Sequence, residues 1–320
     1  VRILTIGTYP LKSLRQARNE ADDAMRKVRG GLDPASDTVL FNKVALASVT
    51  FRGLANAYIE QHALRKKKLS SIKTDRGMLK KHLLPAFGAH KASAITRQHV
   101  RNLLDKIVTR PAPIRANRVL ALLRKIYNFG MVHDYVSHNP CDRLPAPSLE
   151  NKRDRVLSEA EIRSLLSILP TANMAPAIHL ALKFQLLTAQ RGGEVTNLRW
   201  DELDLASGWW TIPAAKAKNG RSHRVPLSSQ ALAVLDEARR LAPDAQHPFG
   251  SPVGDRPMDV TAVCQAVRRN RPLFDAAKIA KWTPHDLRRS AATHMVGAGV
   301  RPDVVGKILN HADSSVTAVY

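Results

Sequence analysis

Cysteine is almost missing from this sequence. The 320 residues include two, Cys141 and Cys264, set 123 positions apart, and there is no C-x-x-C, H-E-x-x-H or His-rich tract. That excludes a disulfide framework and the usual zinc patterns, and it suits a reducing compartment. Acidic residues are few as well: 27 Asp and Glu stand against 50 Lys and Arg, a formal charge of +23 with a pI near 10.6. An excess of this size excludes a chain whose partners are neutral or cationic and points to a polyanion. No apolar run reaches the roughly 18 residues of a membrane span. The opening VRILTIGTYP also lacks the basic, apolar and small-residue order of a signal peptide. We therefore expect a soluble, cytoplasmic protein. The first residue is Val rather than Met, which suggests that an N-terminal piece is missing. Aromatics are scarce, with 4 Trp, 5 Tyr and 7 Phe, so Trp200, Trp209 and Trp210 read as sheet core rather than as platforms for bases.

Apolar residues make up 44% of the chain, enough for ordinary packed cores, and the length suits about two domains of roughly 150 residues each. The positive charge is uneven. Residues 1–50 carry 8 basic and 5 acidic groups, 51–150 carry 19 and 6, and 151–320 carry 23 and 16. The middle stretch thus holds most of the excess, and within it Arg65-Lys66-Lys67-Lys68 reads as tracking a DNA backbone. The same stretch predicts a four-helix module. Thr50 caps an apolar-periodic run through Phe51, Leu54 and Tyr58. Leu83-Leu84-Pro85-Ala86-Phe87-Gly88 breaks a second, basic segment, and Thr96 opens a third helix through Val100, Leu104 and Ile107. Past Pro111 and Pro113, residues 116–132 repeat at helical spacing. Before this module, residues 13–28 predict one amphipathic helix with a Gly30-Gly31-Leu32-Asp33-Pro34 stop.

Asn139-Pro140, Pro145-Ala146-Pro147 and the charged ENKRDR predict a stiff, solvated connection, with a domain boundary near residue 150. Beyond it, Ser158 with Glu161 is a capping-box pattern, and an apolar helix is expected over 175–187. Between Arg199 and Leu227 the period becomes strand-like, with Ser207-Gly208 and Asn219-Gly220 as turns, so a small antiparallel sheet is predicted. The remainder is helical again, with Thr283 as N-cap, Pro284 first in the helix, and Gly297 and Gly299 at its end.

Four segments carry the chemistry: TAQRGGEVTNLRW (188–200), KNGRSHRVPL (218–227), HDLRRSAATHM (285–295) and LNHADSSVTAVY (309–320). Together, in this order, they resemble the tyrosine recombinase, or phage integrase, family. The gaps between Arg191, His285, His311 and Tyr320 are 94, 26 and 9 residues, natural for that family, and the stretch from Thr50 to Tyr320 follows its two-domain layout. The segment IGTYPLKSLRQARNEADDAMRKVRGGLDP is similar to the end of the N-terminal module of prophage and genomic-island integrases. The resemblance implies a mainly α fold with a small antiparallel sheet in an α+β catalytic domain. Residues 1–49 would be the remnant of an arm-type DNA-binding module and linker, 50–150 a helical core-binding domain, and 151–320 a catalytic domain truncated at its nucleophile.

A phosphodiester passing through a five-coordinate transition state gathers negative charge on its non-bridging oxygens, which guanidinium groups match bidentately. Two arginines with imidazole donors can stand in for a metal clamp. By resemblance these roles fall to Arg191, Arg288, His285 and His311. His285 and Arg288, three apart, share one face of a helix near its start, and Glu194 is placed to orient Arg191. Lys218, beside the predicted hairpin tip, would protonate the leaving 5′ oxygen, with Lys216 as its rival. Tyr320 would attack phosphorus to form a 3′-phosphotyrosine, a route that implies no ATP, metal or cofactor. His62, His82, His133, His223 and His294 read as structural. The family commonly has Gly at the position of Asn310, and Asn is the other residue that tolerates a left-handed helix stop. The implied partners are double-stranded DNA attachment sites, three further copies in a tetramer on DNA, and a DNA-bending host factor or excisionase. Two rival readings remain open on sequence: a type IB topoisomerase-like enzyme and a non-catalytic DNA-binding regulator.

Overall fold

The computed structural model describes residues 13–31, 49–109, 113–150, 153–251 and 253–311. By its internal contacts the chain divides into two units, Val1–Lys152 and Arg153–Tyr320. Tyr320 lies outside the described residues.

In the first unit, α1 (Leu14–Arg29) opens with a Ser13–Gln16 capping box and buries no side chain. The helical module follows. Thr50 accepts from Gly53 N–H at 3.2 Å and starts α2 over 51–66, α-helical at Phe51–Ala57 and Leu64–Lys66 and π-helical at Tyr58–Ala63. The next helix, α3 over 69–87, has the same build: Leu69–Met78, a π stretch at Leu79–Leu83, then Leu84–Phe87. Pro85 therefore lies inside a helix that stops at Gly88, the last residue of the segment expected to break it. The wide π turn ahead of it relieves the carbonyl clash that a proline ring meets in a regular α-helix. Helix α4 (Arg97–Val108) starts on a Thr96–His99 box, and α5 (Pro113–Val132) starts on its proline. Phe51, Leu54, Tyr58, Leu123, Ile126 and Tyr127 form the centre of one apolar core. A Cβ on Gly130 would lie 2.9 Å from Leu54 Cδ1, so α5 packs on α2 with no room for a side chain there.

The proline-rich stretch after α5 is exposed at Asp142, Arg143, Pro145, Ala146, Leu149 and Glu150, but it is docked at several points rather than wholly solvated. Cys141 and Leu144 are buried in this core, and Arg124 Nη2 donates to the carbonyls of both, at 3.3 and 2.9 Å. Asn117 brackets Ser148, donating Nδ2 to its carbonyl at 2.7 Å and accepting its N–H at 3.0 Å. Prolines leave fewer N–H groups to satisfy, and Asn and Arg side chains supply the remainder, so the segment can dock against a helix.

The second unit is built around α7 (Pro176–Thr188), which is apolar on opposite faces. Leu180, Ala181 and Phe184 join a core with Trp210, Leu235 and Phe249, while Ile178 and Leu182 join another with Phe274, Trp282 and Leu287. A helix apolar all round is an interior helix. Around it lie α6 (Glu159–Ile168), α8 (Gly192–Thr196), α9 (Ser229–Leu241), α10 (Val260–Arg269), α11 (Arg271–Ala276), α12 (Pro284–Gly297) and α13 (Pro302–Ile308). The sheet is β1 (Leu203–Asp204), β2 (Trp209–Ile212) and β3 (His223–Pro226), antiparallel in that order, with Trp210 opposite Val225. The fold class read from sequence thus holds. Of the tryptophans, Trp210 is sheet core. Trp200 sits in a 3₁₀ turn under Arg239, and Trp209 lies half-buried under Arg224.

Candidate active site

The site grows from the C-terminal end of α13. A short helix leaves its last carbonyls without intrahelical partners and carries partial negative charge there. In this chain, cationic and polar side chains satisfy those carbonyls. Arg288 Nη2 donates to Leu309 O at 2.5 Å, and Arg191 Nη2 to Asn310 O at 3.3 Å. Gln190 Nε2 and His223 Nε2 both donate to Ile308 O, at 2.9 and 3.0 Å. The helix ends in a Schellman turn: Asn310 has φ 49°, its N–H bonds Lys307 O at 2.9 Å, and His311 N–H reaches back to Gly306 O at 3.0 Å.

Arg191 precedes α8 and is held from the other side by Glu194. The guanidinium donates to Oε1 at 3.0 Å and the Arg191 backbone N–H to Oε2 at 3.1 Å, so the ion pair is also a helix cap. Gly192 lets this turn sit against α10, since a Cβ there would lie 3.1 Å from Val260 Cγ2. The carboxylate of Glu194 is almost fully buried, whereas Arg191 keeps part of its surface. Structural ion pair and open guanidinium thus coexist in one residue.

Arg288 is 5% exposed and also donates Nη1 to Ala189 O at 2.8 Å. Its two acceptors are neutral carbonyls. Burial, and then the nearby positive charge of Arg191, push its pKa down to about 10. His285 is open at the start of α12, yet burial of its flanks, Arg289 and Arg288 lower its pKa. Burial, Arg288 and Arg191 likewise lower that of His311. Both imidazoles are therefore neutral at pH 7, each with one N–H to donate and one nitrogen to accept. Thr283 and Asp286 build the start of α12, with Thr283 N–H donating to Asp286 Oδ2 at 2.8 Å. Asp286 also binds Arg289 at 2.8 Å.

Lys218 lies in the connection from β2 to β3, which spans residues 213–222 rather than turning tightly at Asn219-Gly220. It is exposed, between buried Ala217 and Asn219, whose Nδ2 donates to Asn310 Oδ1 at 2.6 Å. Its rival Lys216 is engaged elsewhere, ion-paired to Glu202 and donating to Asn197 O at 2.8 Å. Arg191, Arg288, His285 and His311 are thus gathered in one electrostatic neighbourhood, and the Lys218 loop is tied to it. Sequence reasoning passed over Gln190, read His223 as structural and Asn219 as a turn residue, and did not foresee the helix end they fasten. His223 sits five residues past Lys218 in the quoted KNGRSHRVPL segment, which is the one signal that pointed to it. Among the described residues no cluster of three or more His, Cys, Asp or Glu side chains could hold a metal ion, and no helix is long and apolar enough to cross a membrane.

Comparison with known proteins decides what this arrangement belongs to. Residues 155–320 match the phage integrase family, 51–146 the phage integrase central domain, and 1–38 an arm DNA-binding domain. The chain belongs to the phage integrase family. Prophage integrase IntZ of Escherichia coli (strain K12) is 26% identical over 321 residues, spanning 98% of this chain and 77% of the relative. Tyrosine recombinase XerC of Xylella fastidiosa (strain M23) is 28% identical, over 71% of this chain and 73% of its own. In fold, the chain is similar to a lambda integrase dimer bound to a COC′ core site. That match has TM-score 0.69 and 17% identity, over 96% of this chain and 86% of that one. A Tn1549 transposon integrase in complex with circular intermediate DNA gives TM-score 0.67 and 14% identity, over 85% and 93%. This integrase is accordingly a tyrosine site-specific recombinase of the prophage branch, and neither rival reading is favoured.

Proposed function

We propose that Arg191, Arg288, His285 and His311 bind one scissile phosphodiester, that Lys218 is the general acid and that Tyr320 is the nucleophile. The observation that carries this is the pair of arginines held on the carbonyls of one helix end, with less negative charge around them than positive. A site so arranged favours an anion, above all one whose charge grows in a five-coordinate transition state. Tyr320 Oη attacks phosphorus and the P–O5′ bond breaks. Lys218 Nζ gives its proton to the leaving 5′ oxygen, and a neutral imidazole nitrogen accepts the phenolic proton. The bond energy is kept in a 3′-phosphotyrosine, and attack by the 5′ hydroxyl of another strand reverses the steps and rejoins the DNA.

The division of labour we propose gives residues 50–150 the core DNA site, 1–49 an arm-type site and 151–320 the chemistry. The +13 stretch supports the first of these assignments. Solved relatives are described as a dimer on a core site and a tetramer on a Holliday junction. We extend that assembly to this chain, as a tetramer on attachment sites with a DNA-bending host factor or excisionase, in the bacterial cytoplasm.

The reaction we propose integrates or excises a mobile element, and the test is covalent trapping on a nicked duplex carrying the direct repeat expected to flank that element. Wild type should yield a protease-sensitive 3′ adduct, and Tyr320→Phe should yield none while binding DNA normally. Lys218→Ala should slow cleavage roughly 10²- to 10⁴-fold. It should recover on a substrate with sulfur at the bridging 5′ position, whose leaving group hardly needs the proton. Adduct formation by Tyr320→Phe, or recovery of Lys216→Ala in place of Lys218→Ala, would overturn the assignment.

A further inference from the structure

We propose that the side-chain amides of Asn219 and Asn310 form a clamp that positions the loop carrying Lys218. The proposal rests on Lys218 being the general acid and adds how this chain holds it in place.

Three observations carry it. The backbone at position 310 needs only a residue that accepts a left-handed turn, and Gly does that with less strain. The Asn310 side chain is therefore not required by the helix stop, yet it is 9% exposed and both its amide atoms face Asn219. Its Oδ1 accepts Asn219 Nδ2 at 2.6 Å, and its Nδ2 lies 3.5 Å from Asn219 Oδ1. Secondly, Asn219 follows Lys218 directly and also orders the far side of the loop, accepting Arg221 N–H at 3.1 Å. With Ala217 buried on the other side, both neighbours of Lys218 are anchored. Thirdly, the backbone carbonyl of Asn310 accepts from Arg191 Nη2 as well as from Asn219 Nδ2, at 3.3 and 3.4 Å, and His311 is the next residue. One asparagine thereby registers the acid's loop against a phosphate-binding arginine and an imidazole.

Asn219 and Asn310 are positioning residues: neither touches substrate in this scheme. The clamp should act on proton delivery and leave charge stabilisation alone, a signature that general loosening of the fold would not produce.

The decisive variant is Asn310→Gly, which keeps the left-handed turn and the carbonyl while removing the amide. In single-turnover cleavage with the complete protein on the direct-repeat duplex, Asn310→Gly should be slower by roughly 3- to 10-fold, the weight of one or two hydrogen bonds. It should return to the wild-type rate on the 5′-bridging sulfur substrate. Asn219→Ala should behave alike, and the double variant should be no slower than the slower single one. Hydrogen exchange without DNA gives a second reading: amides of 217–222 should exchange roughly 2- to 10-fold faster in Asn310→Gly. Unchanged exchange there overturns the clamp. So does a rate deficit equal on oxygen and sulfur, or no deficit at all, while Lys218→Ala is rescued by sulfur. If Lys218→Ala is not rescued, the identity of the acid is wrong and the clamp's catalytic role falls with it.

Discussion

Each unit draws a lysine or arginine inward, Lys67 in part and Arg288 almost wholly, and the two settings are opposite in kind. In the first unit, Lys67 donates to Asp75 at 2.5 Å and to Tyr58 Oη at 2.6 Å. Burial alone would lower the lysine's pKa, but these hydrogen bonds leave it raised. In the second unit, Arg288 has only carbonyls for acceptors and Arg191 for a neighbour, and its pKa falls. The first cluster is neutralised within the protein and has nothing to offer a ligand. The second is short of negative charge by design of its neighbours, and a phosphate would complete it. Burial of a charge thus separates structure from function only when its partners are counted. The same count corrects the reading of Arg65-Lys66-Lys67-Lys68 as one strip along DNA, because Lys67 turns inward while Arg65, Lys66 and Lys68 are exposed.

The largest expected effect breaks the second cluster. Arg191→Ala and Arg288→Ala should each slow cleavage by about 10²- to 10³-fold on oxygen and sulfur substrates alike, since they remove charge stabilisation rather than a proton. Breaking the first cluster should touch stability instead. Lys67→Ala leaves Asp75 buried without its cation and should cost about 3 kcal/mol in urea unfolding, with cleavage by the folded fraction unchanged. A smaller effect sharpens the contrast. Sulfate at ten times its dissociation constant should stabilise the wild-type protein by about 1.4 kcal/mol, and Arg288→Met should lose that increment while Lys67→Ala keeps it. Smallest is the response to pH. The His285 and His311 pKa values lie below the ordinary value, so cleavage should hold level as pH falls to about 6.5 and decline only beneath it. Stability follows the same sign: the unfolded chain takes up protons near pH 6.5 while the folded one resists. The contribution is therefore whole above that value and is lost as pH falls below it. Thermal melts from pH 8 to 5 would check both limbs.

Much of this was legible where the signal is local. Thr96, Ser158 and Thr283 each announced a helix start, Ser158 also through Glu161 three positions on; Thr96 and Ser158 accept the expected backbone N–H, while Thr283 donates its hydroxyl to Asp286 instead. The four motif segments likewise named Arg191, Lys218, His285, Arg288 and His311 before any geometry was known. What stayed hidden depends on distant partners. Nothing in Pro85 tells that a π turn precedes it, and nothing in Asn139 to Glu150 tells that Asn117 and Arg124 will take up its backbone. The pairing of Asn219 with Asn310 joins positions 91 apart, and neither residue signals it alone. Lys216 and Lys218 are equivalent as letters; the motif favours Lys218, and the structure adds that Lys216 is ion-paired to Glu202.

The short run from Arg153 to Leu157 lies along α12. Arg153 Nε grips Asp286 at 2.9 Å, Leu157 N–H donates to Ser290 Oγ at 2.8 Å, and Leu157 O accepts from His294 Nε2 at 2.8 Å, taking every fourth residue of that helix. The helix that presents His285 and Arg288 is thus braced by the first five residues of its own unit. For gene fusion, this marks where a cassette begins. An exchange between relatives with its junction ahead of Arg153 transfers the helix and its brace together. A junction at Ser158 would pair the helix with a foreign brace, and such hybrids should lose activity even where every motif residue is retained.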